Sequence, residues 1–315
     1  MKRNYVLFTG LFFLGILVSL GLQSLESHRK GDTLSSRTGE RSAFPNRIIC
    51  AAPNLVEIVY ALGEEDRIVG VSDYTNYPPE AQAKERIGGV FNPNLERILA
   101  LRPDMMIVQG AMEKHTVFCQ RRGIPVLRVD MENWSSIAEG IRKIGYALGC
   151  PAKAETLVRD IQGRLDEIRG RVANLPHRPK VFLSMSRRPG SLSGLFTVNR
   201  ESFIHEMLIT AGGVNVFEDA LTRYPQISKE SLITRAPEII LELQLQEEFP
   251  ARQVETLRKD WEALPLIPAV ATGRIFIVTE DYVMISGPRI HLAAERFYQL
   301  IHESHGAKPG PVDHH

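Results

Sequence analysis

The sequence has no surplus of either charge: 38 Lys and Arg against 37 Asp and Glu leave a net charge of +1. It therefore lacks the basic field on which nucleic-acid binding depends, and nucleic acid is not an expected partner. Cysteine is scarce. Cys50, Cys119 and Cys150 are widely spaced and lack the close pairs used by zinc sites and redox motifs. At most one disulfide is open to such a set, with Cys119 and Cys150 as its candidate pair; the apolar run around Cys50 favours the competing reading, buried thiols. His115, His205 and His291 stand singly in helical patterns, with no two at ligand spacing, so no metal site is expected, and His314 and His315 lie in a Pro- and Gly-containing tail. Enzyme motifs are missing as well. The first strand pattern runs into CAAPNLVE rather than a Gly-rich phosphate loop, and neither GxSxG nor a Walker pattern occurs. Glu57 and Glu206 form a conceivable acid-base pair. They fall at duplicated positions inside apolar helical segments, which favours a structural role in each half. No enzymatic activity and no cofactor are expected.

What is present begins at the N-terminus. Lys2 and Arg3 precede an uncharged apolar run from Tyr5 to Leu22, the order of an export signal, which places the working protein outside the cytoplasm. Two fates stay open for residues 1–22. Ser19 and Gly21 offer a small-x-small cleavage pattern, yet the run also approaches the roughly 18 to 20 residues that span a bilayer. No cysteine lies near its end, which excludes a lipoprotein anchor of the usual bacterial kind. Residues 23–45 read as a flexible tether, because the stretch from His28 to Pro45 is rich in Ser, Gly, Thr and charge without apolar periodicity.

From Arg47 onward, short apolar strands alternate with helical patterns: RIICA and LVEIVYALG, RIVGV, NLERILAL and DMMIVQ, PVLRV and the stretch from Trp134 to Leu148. That alternation marks an α/β layered lobe over residues 46–150. Residues 151–174 instead form one long helical pattern, with Leu157, Ile161, Leu165, Ile168 and Val172 on one face. Alternation resumes in a second lobe, residues 175–304, and a tail occupies 305–315.

The lobes also resemble each other. Glu96, Ile98, Leu99, Pro103 and Asp104 correspond to Glu230, Leu232, Ile233, Pro237 and Glu238 at a constant offset of 134. Glu57, Ile58, Val59 and Gly63 correspond to Glu206, Met207, Leu208 and Gly212 at an offset of 149. The first lobe therefore carries about 15 extra residues between the two blocks, and the loop from Tyr74 to Asn92 is where they are expected. Duplicated lobes related by a pseudo-two-fold axis leave a cleft as the natural ligand site.

The segments RIICAAPNLVEIVYALG, RIVGVSDYTNYPPEA, GGVFNPNLERILALRPDMMIV, YPQISKESLITRAPEIIL and EDYVMISGPRIHLAAE, spanning about Arg47 to His302, resemble the vitamin B12-binding and iron-chelate-binding periplasmic proteins of ABC importers. The resemblance implies two Rossmann-like lobes joined by a single long backbone helix that allows only small hinge motions, and a monomer with a ligand cleft between the lobes. It further implies that an acidic residue at the tip of each lobe pairs with arginines of the membrane permease. The matching positions are Glu96 and Glu230, each at the second position of a helix capped by Asn94 or Ser228, where a carboxylate is also favourable for the helix itself.

Candidate ligand contacts are loop aromatics at strand ends: Tyr74, Tyr77, Phe91, Phe196, Tyr224 and Tyr282, whose flat faces suit a large macrocycle or chelate. Tyr224 in YPQIS stands where the B12-binding members carry a tryptophan, and Tyr77 stands in the matching NYPP. Asp281 is a candidate acceptor for ligand amides. Arg187 and Arg188, after the strand VFLSMS, are candidates for neutralising an anionic ligand, a feature that siderophores and haem would use more than a corrin ring. The expected cargo is a cobalt- or iron-containing chelate. A corrinoid stands first, a ferric siderophore or haem second, and an exported two-lobed enzyme is the remote alternative.

Overall fold

The computed structural model describes residues 44–185, 187, 189–244 and 250–303. By their internal contacts these fall into two units: one runs through Val129 and includes Lys143–Pro151, the other comprises Asp130–Arg142 and the chain from Ala152.

The first unit is built from β1 (Ile48–Cys50), α1 (Pro53–Ala61), β2 (Ile68–Val71), α2 (Leu95–Ala100), β3 (Met105–Gln109), α3 (Glu113–Arg121) and β4 (Val126–Val129). Its sheet is parallel in the order β2-β1-β3-β4. Strands β1 and β3 read as near-continuous apolar runs because both of their faces are covered. Ile49, Ile98, Met106, Val108 and Cys119 pack together in its core. The cysteines are free, so Cys119 and Cys150 do not form the candidate bridge. Cys119 Sγ instead lies 3.5 Å from Met106 Sδ, and burial pushes its thiol up to about 11.

Two helices follow, α4 (Trp134–Ala147) and α5 (Pro151–Val172). The buried stripe of α5 is Ala154, Val158, Ile161, Leu165, Ile168 and Val172. It alternates three- and four-residue steps, which leaves Leu157 only half-buried, one position away from the expected face.

The second unit continues with β5 (Lys180–Ser184), β6 (Leu195–Phe196), α6 (Phe203–Thr210), β7 (Val214–Asn215), β8 (Gln226–Ile227), α7 (Lys229–Arg235), β9 (Ile239–Leu243), α8 (Ala251–Asp260), α9 (Pro268–Ala271), β10 (Ile275–Val278) and α10 (Ile290–Tyr298). Its main sheet is parallel in the order β10-β9-β5-β7, and β6 pairs antiparallel with β8. Counting only main-sheet strands from the start of each unit, both sheets have the order 2-1-3-4, the duplication expected from the repeated blocks. Phe182 anchors the core, with the rings of Phe217 and Trp261 edge-on at 5.7 and 6.0 Å.

The repeated residues do repeated work. Gly63 and Gly212 follow the ends of α1 and α6 in the left-handed region, at φ of 66° and 80°, where a side chain would be strained. Asp104 accepts from the backbone N–H groups of Asn46 and Arg47 just before β1, and Glu238 bonds His177 shortly before β5. Each acid thereby ties the entrance of its own sheet to the strand beside it. Ten of the roughly 15 extra residues in the first unit lie in the connector 72–94, 23 residues against 13 in its counterpart 216–228. The rest lie between the end of the first helix and the end of the next strand, 62–71 against 211–215.

Candidate functional site

Connector 72–94 leaves the carboxyl end of β2, the end at which parallel α/β sheets present their binding loops. Arg86 fastens its base by donating to the carbonyls of Ser72 and Thr75 at 2.9 and 2.6 Å. Gly88, at φ 86°, donates to Asp73 Oδ1 and opens a tight turn; a Cβ there would stand 2.5 Å from the Asn92 carbonyl oxygen. At Gly89 a Cβ would meet the Tyr74 ring at 2.8 Å, so the glycine lets that ring lie against the backbone. The connector thus holds out three aromatic side chains: Tyr74, Tyr77 and Phe91 are 38%, 42% and 39% exposed. Lys114 at the start of α3 supports the turn by donating to the Phe91 carbonyl at 2.6 Å.

In the second unit, Met185 donates to the Phe196 carbonyl at 2.9 Å, and the pairing of β6 with β8 is extended by Thr197 to Pro225 and Asn199 to Arg223. This ribbon carries Phe196 and brings Tyr224 close behind it. Tyr224 is half-buried; burial, then the Glu132 carboxylate, raise its phenol, which also bonds Ser202. Arg223 beside it pairs with Glu132. Asp281 and Tyr282 follow β10 in a short 3-10 turn and are half-buried. Arg289 donates two bonds to Asp281 at 2.9 and 2.8 Å and lies 5.8 Å from the Tyr282 ring centre.

Glu96 and Glu230 are exposed at the second positions of α2 and α7. The expected caps are in place: Asn94 Oδ1 accepts from the Arg97 N–H, and Ser228 Oγ from the Ser231 N–H. Such caps hold the two short helix starts by about 1 kcal/mol each. The Glu230 carboxyl sits below its usual range because its own backbone N–H and the Ser228 hydroxyl bond its charged form.

A family model described as periplasmic binding protein matches residues 48–282. The chain belongs to that family. A curated vitamin B12-binding protein of Pectobacterium atrosepticum is 27% identical over 269 residues, covering 83% of this chain and 90% of that protein. The solved structure of the periplasmic vitamin B12 binding protein of Vibrio cholerae has a TM-score of 0.69 at 26% identity, covering 82% of this chain and 96% of its own. A periplasmic heme binding protein from Pseudomonas aeruginosa, at 24% identity over 85% of this chain and 96% of its own, shares the fold with a TM-score of 0.72.

One candidate contact of this periplasmic binding protein needs correction. Arg187 is buried, with 8% of its surface exposed, and its guanidinium is committed to Glu242 and Asp260 inside the second unit. A cation neutralised by two internal carboxylates is not an available grip for an anionic ligand. Arg188 lies outside the described residues, as do residues 1–22, where export or anchoring is expected, residues 23–43 of the tether, and the tail 305–315. Among the described residues no helix is long and apolar enough to cross a membrane, and no group of three or more His, Cys, Asp or Glu is placed to hold a metal ion.

Three further residues of this binding protein escaped sequence reasoning. Arg289 holds Asp281, Arg86 fastens the aromatic connector, and Glu132 pairs with the neighbour of Tyr224. Arg289 alone stood in a segment with a family signal, GPRIHLAAE; the other two act through chain neighbours that no local pattern announces. Glu206 has the structural part expected of it, accepting the Trp134 N–H at 2.7 Å at the start of α4, and Glu57 is buried within α1. His115 is wholly buried with neither ring nitrogen bonded among the described residues, and burial lowers it to about 4, which keeps it neutral.

Proposed function

We propose that this binding protein captures a corrinoid outside the cytoplasm and, as a monomer, hands it to an ABC importer, acting by binding rather than by catalysis. The observation that carries the reading is the aromatic set at the carboxyl ends of the sheets. In the first unit it consists of Tyr74, Tyr77 and Phe91, and in the second of Phe196, Tyr224 and Tyr282. Rigid faces of this kind bury large area at little entropic cost, which suits a broad macrocycle. Two further points support it. The relative from Pectobacterium atrosepticum is named a vitamin B12-binding protein and is covered almost end to end. The internal neutralisation of Arg187 removes one of the two arginines that would have favoured haem or a ferric siderophore. In this reading Asp281, oriented by Arg289, accepts from ligand amides with its remaining lone pairs. Glu96 and Glu230 dock on permease arginines.

Tyr77 offers a clean test, because its side chain is among the exposed aromatics of the connector. Tyr77→Ala is expected to weaken cobalamin binding roughly thirtyfold, the effect of losing one aromatic anchor worth about 2 kcal/mol, while the unfolding midpoint stays where it is. Calorimetric titration of the two proteins side by side reads the difference. Equal affinities would remove Tyr77 from the site.

A further inference from the structure

The second unit holds a cavity of about 780 Å³ whose lining includes none of the aromatic residues assigned to the corrinoid. It is framed by the start of α4, the end of α5 and one face of α6. Three arginines line it, Arg169, Arg178 and Arg200, against a single acidic residue, Glu206. That carboxylate is already engaged, since one oxygen accepts the Trp134 N–H at 2.7 Å and the other lies 4.0 Å from Arg169. Arg169 also donates to Asp166, which is not part of the lining. The other two cations are less satisfied. Arg200 gives its Nε–H to the Glu218 carbonyl at 3.0 Å and has no ion pair among the described residues. Arg178 is exposed, with neither an ion pair nor a hydrogen bond among them. Like charges gathered on one cavity repel, and an anion bound among them reverses the sign of that interaction.

His205 adds a donor without adding a charge. The Asn215 amide has its orientation fixed, because its oxygen accepts the Phe217 N–H at 3.0 Å while its nitrogen donates to the Val198 carbonyl at 2.8 Å. That nitrogen also stands 3.3 Å from His205 Nδ1, which must therefore accept, and the imidazole proton resides on Nε2. Burial, reinforced by Arg200 and opposed by Glu218, holds the ring below the usual imidazole range, so it is neutral at physiological pH. The cavity is thus rich in donors and poor in acceptors. Val172 and Ile209 contribute an apolar wall.

We infer that this cavity binds a phosphate monoester, whose oxygens take up the forks of Arg178 and Arg200 and the His205 N–H while its carbon framework lies against Val172 and Ile209. A carboxylate offers one charge and two coplanar oxygens, a part Glu206 already supplies. Donors arriving from separate elements call for a tetrahedral group with three terminal oxygens and a charge near −2. The cavity also exceeds inorganic phosphate in size, leaving room for the esterified carbon. A soluble phosphate monoester and the headgroup of phosphatidic acid share this chemistry.

The test uses the whole purified protein. It is titrated calorimetrically with glycerol 3-phosphate at constant ionic strength, and sedimented with phosphatidylcholine vesicles containing phosphatidic acid. Arg178→Gln and Arg200→Gln are run alongside; both positions are exposed, so the fold is retained. Saturable binding of either probe, weakened about tenfold or more by each substitution while cobalamin binding is unchanged, is the expected result. Saturation by glycerol 3-phosphate identifies a soluble ester as a sufficient source, and saturation by the vesicles alone identifies the lipid headgroup. No saturable binding of either probe, or binding that both substitutions leave intact, overturns the inference.

Discussion

Replacing Arg187 with methionine is expected to cost about 3–5 kcal/mol of stability, because it strips the counter-charge from two acids enclosed in the second unit. The guanidinium Nε lies 3.0 Å from Glu242 Oε1, Nη2 donates to Glu242 Oε2 at 3.1 Å, and Nη1 donates to Asp260 at 2.6 Å. Further bonds run to the carbonyls of Ser191 and Leu257 at 3.0 and 2.8 Å. The Trp261 indole and the Gln244 amide complete the shell of Glu242 at 2.6 and 3.0 Å. Burial pushes the Glu242 carboxyl up to about 7, against the opposing pull of Arg187 and the indole bond. A carboxyl raised in the folded state holds its proton more tightly there than in the unfolded chain. Its contribution therefore favours folding below the ordinary carboxyl range and is lost as pH rises through about 7. Without Arg187 the upward shift grows, so the deficit of the variant should be smaller at about pH 5 than at about pH 8. Urea unfolding of both proteins at the two pH values measures this. A loss under about 1 kcal/mol at both would show that the cluster does not hold the loop after β5.

Replacing Glu96 and Glu230 together with alanine should lower importer-dependent uptake roughly thirtyfold or more while leaving cobalamin affinity unchanged. The loss would follow from permease arginines left without partners in a desolvated interface. Neither residue is needed to close its helix, since Asn94 and Ser228 supply the caps, so the unfolding transition should barely move. Uptake into vesicles holding the permease, compared with calorimetry on the free protein, separates docking from ligand capture. A parallel fall in both would show that the two acids serve the fold or the ligand site instead.

The repeated blocks made much of the fold legible. Gly63 and Gly212 end equivalent helices, and Asn94 and Ser228 cap equivalent helices, because these tasks are local and depend on residues a few positions away. Asp104 and Glu238, by contrast, brace equivalent sheet entrances through partners 57 to 61 positions earlier and were visible only because both halves repeat them. The surroundings of Arg187 were not legible in this way. Glu242 and Asp260 lie 55 and 73 positions from it, on β9 and at the end of α8, and only the parallel crossover brings them beside the end of β5. An arginine after a strand looks the same in sequence whether it faces ligand or core. The antiparallel ribbon of β6 and β8 escaped for a related reason: its strands are two residues each and lie far apart in the chain, so neither shows a period. The aromatic connector was visible as most of the extra length of the first unit; what fastens it, Arg86 bonding Ser72 and Thr75, was not.

Equilibrium binding tests the central claim most directly. The protein is titrated calorimetrically with cobalamin, cobinamide, haem and a set of ferric siderophores. Tight, saturable binding of the corrinoids, with no comparable binding of the anionic chelates, is the predicted result. Binding confined to haem or the siderophores, or no binding across the series, would contradict it.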